Sequence, residues 1–207
     1  AKLKALLGQL EFKSLLRSLP DYMQDHSPSV AQTSSDVTDV TELPASQAKA
    51  TLLMADALVV WLDGDHAWLS HERGKAAKLP IKEAIEITQH VSIVGHDTKV
   101  ILKAFLAAGA KELPTIGHDT AQGSFLLNPL RKSRELSDLV GFESIDDAKV
   151  AISAIWALYD EQKLALEALP KLAKVAHTMD FPLIPVLARM EHRGIRLDSE
   201  MLAKMDV

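Results

Sequence analysis

The sequence predicts an α/β domain, a mixed five-stranded sheet flanked by helices, followed by a helical C-terminal extension. Three observations carry this. Short apolar runs bounded by turn residues fall between residues 51 and 69, and Asp63-Gly64-Asp65 between two of them is a hairpin signal. From Pro80 onward, helical spacing of apolar residues alternates with short strand-like runs. After Asp146 only helical spacing remains.

Residues 2–19 carry Leu3, Leu6, Leu7 and Leu10, then Phe12, Leu15, Leu16 and Leu19, at helical spacing. Gly8 interrupts them and Pro20 ends them, so residues 1–19 read as connecting helices, too short to fold alone. Residues 20–47 hold Ser27-Pro28-Ser29 and Thr33-Ser34-Ser35 with few large apolar side chains, and read as a linker. The α/β domain spans 48–169. Its strands are expected at 51–54, 58–62, 67–69, 91–94 and 115–116. Pro80 opens a helix with the stripe Ile81, Ala84, Ile85 and Thr88. Asp97 caps a helix carrying Ile101, Ala104 and Phe105 and ended by Gly109, and Asp119 caps another that stops at Asn128-Pro129. A helix surrounds 135–140, and Asp146 begins a long one reaching about Leu169. Residues 170–207 are helical, with breaks expected at Pro182 and Pro185.

Composition narrows the function classes. The chain has 207 residues, a net charge of −5 and no cysteine, which excludes disulfides, thiolate nucleophiles and Cys-based metal sites. There is no leader and no apolar run of membrane length, so a cytoplasmic protein is expected. Residues 149–207 are balanced in charge, which places the −5 in residues 1–148 and argues against a chain built mainly to grip phosphates. The sequence starts at Ala1 and stops at Met205-Asp206-Val207 inside a helical pattern, as expected of a fragment of a longer protein.

The chemistry-bearing motifs are few. Gly95-His96-Asp97-Thr98 recurs as Gly117-His118-Asp119-Thr120. Two His and two Asp at strand ends could ligate a metal, but Asp-Thr between a strand and a helix is first of all a cap, and caps are the favoured reading. Two-metal phosphodiester cleavage needs three or four clustered carboxylates. The first strand expected here, through Leu52-Leu53-Met54-Ala55-Asp56, supplies one, so no metal site is expected. Trp61, Trp68 and Trp156 could stack bases, but the alternating apolar neighbours of Trp61 and Trp68 favour core or sheet-face positions for those two. The run Arg131-Lys132-Ser133-Arg134 is either a solvated loop or a DNA-backbone contact through Arg131, Lys132 and Arg134.

Residues 181–198, Phe-Pro-Leu-Ile-Pro-Val-Leu-Ala-Arg-Met-Glu-His-Arg-Gly-Ile-Arg-Leu-Asp, resemble the segment that opens the polymerase domain in the bacterial DNA polymerase I family (family A). Asp119-Thr120 through Leu126-Leu127-Asn128-Pro129 resembles a helix of that family's 3′–5′ exonuclease domain, and Leu10-Glu11-Phe12-Lys13-Ser14-Leu15-Leu16 resembles the run that follows its 5′-nuclease region. The resemblance implies a ribonuclease H-like, exonuclease-type fold over 48–169 and the start of a polymerase domain over 170–207. It also shows departures. In the second exonuclease motif Gly95 and Lys99 match, Asp97 replaces Asn, and the metal-binding Asp falls on Ile101. The third motif places Lys149 and Ser153 where Tyr and Asp stand, and the first is missing near Met54 and Ala55. Gly95, Asp97, Lys99, Ile101 and Ser153 are therefore read as vestigial positions, with no catalytic residue. The domain is expected to be a silent scaffold for template-directed DNA synthesis, in replication or repair, by a monomeric parent nucleotidyltransferase. Mg²⁺ is the cofactor expected for that parent, and DNA and the rest of the polymerase chain are its expected partners. Two alternatives stand beside it. One is an active metal-dependent exonuclease using Asp56, Asp97 and Asp119 with His96 or His118. The other is a stand-alone binding module.

Overall fold

The structure, a computed structural model, describes residues 39–196 together with Met201 and Lys204. The helices expected over 2–19 and most of the 20–47 linker lie outside the described residues. Within them the elements run β1 (Thr41–Glu42), α1 (Ala45–Leu53), β2 (Ala57–Asp63), β3 (His66–Glu72), β4 (Lys75–Pro80), α2 (Ile81–Thr88), β5 (Ser92–Gly95), α3 (Thr98–Ala107), β6 (Ile116–Asp119), α4 (Thr120–Leu127), α5 (Leu136–Val140), α6 (Ala148–Glu167), α7 (Pro170–Val175), a π-helical turn (Ala176–Asp180) and α8 (Phe181–Arg193). No helix among the described residues is long and apolar enough to cross a membrane.

The predicted class holds, with a sheet of six strands instead of five, ordered β1-β4-β3-β2-β5-β6. The hairpin forms where Asp63-Gly64-Asp65 placed it: β2 and β3 pair antiparallel, Trp61 opposite Trp68, and Gly64 takes φ 58° in the turn. β2, β5 and β6 are parallel neighbours, so the ends of β5 and β6 lie side by side.

One expected strand is absent and two unexpected ones are present. Thr51–Met54 is not a strand. It finishes α1, where Ala48 and Leu52 are the buried pair at i, i+4. A four-residue apolar run has no period long enough to separate strand from helix, and the Ala-rich residues ahead of it favour the helix. The two strands not expected are β1 and β4. β4 was hidden because Ala76 and Ala77 are weak strand formers and Pro80 signals a helix start. It forms because Arg73-Gly74, with Gly74 at φ 74°, turns the chain back antiparallel on β3. β1 then adds parallel to β4.

The two faces of the sheet follow from the alternation along β2. Leu58 and Val60 point to a layer containing α1, α2, α3 and α8, with Leu69, Leu79, Ile93, Leu102 and Phe105. Val59 points the other way, to Trp68, Val94 and the Ala148, Ala151, Ile152 and Ile155 face of α6. Trp156 is half-buried, and its indole N–H donates to Ser70 Oγ at 2.8 Å.

The C-terminal helix is part of this construction. Phe181, Ile184 and Ala188 form a buried stripe in the same layer as Ile93 and Phe105. The prolines do not break it: Pro182 occupies the first turn of α8 and Pro185 lies inside, while the chain relaxes through the π-helical turn just before. Phe181 is 1% exposed. Phe181→Ala should therefore lower the unfolding free energy by about 3–5 kcal/mol, read as a shift in the urea midpoint with an unchanged slope.

Candidate functional site: the cleft at the ends of β5 and β6

The two Gly-His-Asp-Thr repeats meet at the ends of β5 and β6, but not as symmetric partners. The strands pair Val94 with His118 and Gly95 with Asp119, so the tetrapeptides are offset by two residues. An extra residue at Gly117 shifts the register between the Ile93–Ile116 and Val94–His118 pairs. A Cβ at Gly117 would stand 2.7 Å from Ser92 Oγ, so a side chain there would require the Ser92 hydroxyl to move. His118 consequently belongs to the strand and points inward, while His96 lies beyond the end of β5.

The caps were predicted one per helix, and the structure corrects this. Asp119 caps its own helix as expected, Oδ1 accepting from the Gln122 N–H at 2.9 Å. Asp97 makes no side-chain cap on α3. It sits at φ 48°, and it is the only non-glycine residue at positive φ among the described residues. Its role is taken by Asp119, whose Oδ2 accepts from the Thr98 N–H at 2.6 Å and from the Thr98 hydroxyl at 2.7 Å. One buried carboxylate thus caps two helices. His96 Nδ1 and Thr120 Oγ1 close the pairing at 2.8 Å.

Behind this layer, Gln162 of α6 donates its amide to the Thr120 carbonyl at 2.9 Å. Its oxygen must then accept, so His118 donates from Nε2 at 2.7 Å. Tyr159 and Phe181 meet the His118 ring edge-on at 5.2 and 5.1 Å. Sequence reasoning missed Gln162, although a signal existed: it interrupts the buried Leu158–Leu166 stripe of α6.

In front lies a cleft of about 700 Å³, with His96, Asp97 and Asp119 on its floor, Gln122 and Phe125 on one wall, and Ile184 and Leu187 of α8 on another. Of the predicted positions, Asp97, Lys99, Lys132 and Arg134 line it. Arg134 lies over the Phe125 ring at 4.7 Å, and Arg131 donates to the Asp138 carbonyl at 2.7 Å. Ile101 and Ser153 are buried, 3% exposed each. Gly95 packs the turn onto β2, where a Cβ would press on Ile101 and Thr98 at 2.9 Å. Asp56 precedes β2, at the opposite end of the parallel strands from Asp97 and Asp119. Among the described residues no group of three or more His, Asp or Glu side chains could hold a metal ion.

Burial holds His96 below its ordinary pKa, against the opposing pull of the Asp119 and Asp97 charges. Burial likewise lowers His118, outweighing the Gln162 hydrogen bond. Partial burial, reinforced by the Asp119 charge, raises Asp97.

No family model matches the sequence. A stretch of 57 residues is 40% identical to DNA polymerase I of Pseudomonas aeruginosa, covering 28% of this chain and 6% of that protein. The likeness read from the residues, to bacterial DNA polymerase I, is borne out. In three dimensions the chain is similar to the polymerase-domain structure of Pol1 from M. smegmatis, solved in complex with DNA primer-template and dNTP. The TM-score is 0.61 at 19% identity, over 81% of this chain and 34% of that one. At that identity the second likeness concerns the fold alone. The chain spans a small part of the DNA polymerase I it matches and about a third of the Pol1 structure.

Two predictions follow from the site's geometry. Gly→Ala inside an exposed helix stabilises by about 1 kcal/mol, but Gly123→Ala should destabilise. A methyl there would overlap the Gln162 oxygen and come within 2.9 Å of His118 Nε2. Chemical denaturation gives the sign. The second concerns pH. His96 and His118 have folded pKa values below the ordinary 6.5, so the unfolded chain takes up protons first as pH falls. Their stabilising contribution is complete above about pH 6.5 and is lost as pH drops below it toward the folded values. Asp97 acts oppositely, only in the acidic range near the ordinary carboxylate value. Melting temperatures should fall between pH 7 and 5, and His118→Gln should flatten that slope.

Proposed function

We propose that this chain is a segment of a DNA polymerase I-like enzyme in which residues 48–169 form a catalytically silent 3′–5′ exonuclease-like domain and residues 170–207 begin the polymerase domain. The observation that carries this reading is the occupation of Asp119. Both of its oxygens are committed to Thr98 and Gln122, and although Asp97 and Glu135 line the same cleft, no group of three or more His, Asp or Glu side chains among the described residues is placed to hold a metal ion. Two-metal chemistry needs more. The residues present do not fit a divalent cation here. The buried Ile101 and Ser153, at positions where the resemblance expects carboxylates, support the same reading.

The domain's remaining work is structural. It carries α8 on its core and presents that helix to whatever follows Gly194. Template-directed synthesis, with Mg²⁺ as cofactor, belongs to the parent enzyme, a monomer in the cytoplasm acting in replication or repair. DNA and the rest of the polymerase chain are the partners. Lys132 and Arg134, on the cleft wall, are the DNA-backbone contacts this reading assigns, and Arg131 is committed to the Asp138 carbonyl.

The test is a 3′-labelled single strand incubated with the chain and Mg²⁺ or Mn²⁺. No mononucleotide should be released. Release that Asp97→Ala abolishes would overturn the silent-domain reading in favour of an active exonuclease.

A further inference from the structure

The buried stripe of α8 ends at Ala188. Residues 189–193, its last turn, are all exposed, and no apolar side chain anchors them. Three polar contacts hold this turn instead. Arg189 donates to the Lys111 carbonyl, between α3 and β6, at 3.2 Å. Glu191 takes two ammonium groups from successive turns of α3, Lys99 on Oε1 at 2.7 Å and Lys103 on Oε2 at 2.9 Å. Lys99 and Lys103 stand at i, i+4, so their side chains share one face of α3, and each oxygen of Glu191 has its own cation. The pairing holds Glu191 below the ordinary carboxylate pKa and Lys99 above its own.

Magnitudes decide what such a fork can do. All three side chains are between 37 and 45% exposed. Exposed pairs of this kind contribute little each, because solvent screens them and both side chains lose freedom, far less than burying Phe181 and Ile184. The fork therefore adds little to the folding of α8. Orientation is a different quantity. The apolar stripe fixes the helix against α3 up to Ala188, and beyond that point a small bending or rolling freedom costs almost nothing in buried area. Two contacts to α3 and one to the α3–β6 loop remove that freedom. Gly194, at φ 72°, follows three residues after the fork and ends the helix.

We infer that Lys99, Lys103 and Glu191 are positioning residues that set the direction of the last turn of α8, up to Gly194. Lys99 also lines the cleft, so the cleft wall and this fork share a side chain. The matching lysine of the exonuclease-like motif thereby acquires a role independent of nuclease chemistry. The inference does not depend on the polymerase reading.

The chain has no cysteine, so two can be introduced and spin-labelled without background. Labels at Gln89→Cys, at the exposed end of α2, and His192→Cys, in the last turn of α8, report the direction of that turn as a distance distribution. The parent pair should give a narrow distribution. Lys99→Glu with Lys103→Glu should widen it at least twofold while shifting the melting temperature little, and adding Glu191→Lys should narrow it again. Glu191→Gln, which introduces no repulsion, should widen it as well and keeps the test valid if the double reversal does not fold. A distribution as narrow as the parent's in Glu191→Gln would overturn the assignment. Widening that the charge swap does not reverse would also overturn it, because the effect would then not come from the pairing.

Discussion

The Asp119 carboxylate is the constraint on which the site depends. A helix N-terminus leaves N–H groups without intrahelical partners, and α3 and α4 both begin at the same end of the sheet, after β5 and β6. One buried carboxylate satisfies a donor from each. That choice fixes the separation of the two helices, holds β5 and β6 in their offset register, and removes Asp119 from other chemistry. It also frees Asp97 from capping, leaving it in a left-handed conformation at the cleft floor.

A second layer supports the first. His118, neutral and buried, links β6 to α6 through Gln162, and Gln162 returns to the Thr120 carbonyl at the start of α4. Phe181 closes the same pocket from α8. The geometry leaves no room for a side chain at position 123. Strand, two helices and the C-terminal helix thus converge on one hydrogen-bonded histidine, and each buried polar atom there has its partner, as a low-dielectric interior requires.

The legible parts of the fold were those with strong local signals. Asp63-Gly64-Asp65 announced its hairpin, because few sequences suit that turn. The stripe of α6 was long enough to display its period. β4 was not legible: Lys75–Pro80 holds two alanines and a terminal proline, and becomes a strand through pairing with β3 on a turn set by Gly74. Thr51–Leu53 was misread for the complementary reason, since a run of that length satisfies both periods and only burial of Ala48 with Leu52 decides. At the site, Asp97, Lys99, Lys132 and Arg134 were identified in advance and share one cleft. Its walls from α4 and α8, Phe125 and Leu187 among them, were not, because they come from segments distant in sequence.

By itself the sequence determined the alternation of strand and helix, the absence of thiol chemistry and the likeness to DNA polymerase I, all properties of local pattern or of matching residues. Only the tertiary structure decided what two identical tetrapeptides would do. Gly95-His96-Asp97-Thr98 and Gly117-His118-Asp119-Thr120 carry the same local preferences. Parallel pairing sets them two residues out of step. One histidine therefore lies inside the strand and the other beyond it; one aspartate caps two helices and the other caps none. Register is a relation between strands, and neither copy of the motif contains it.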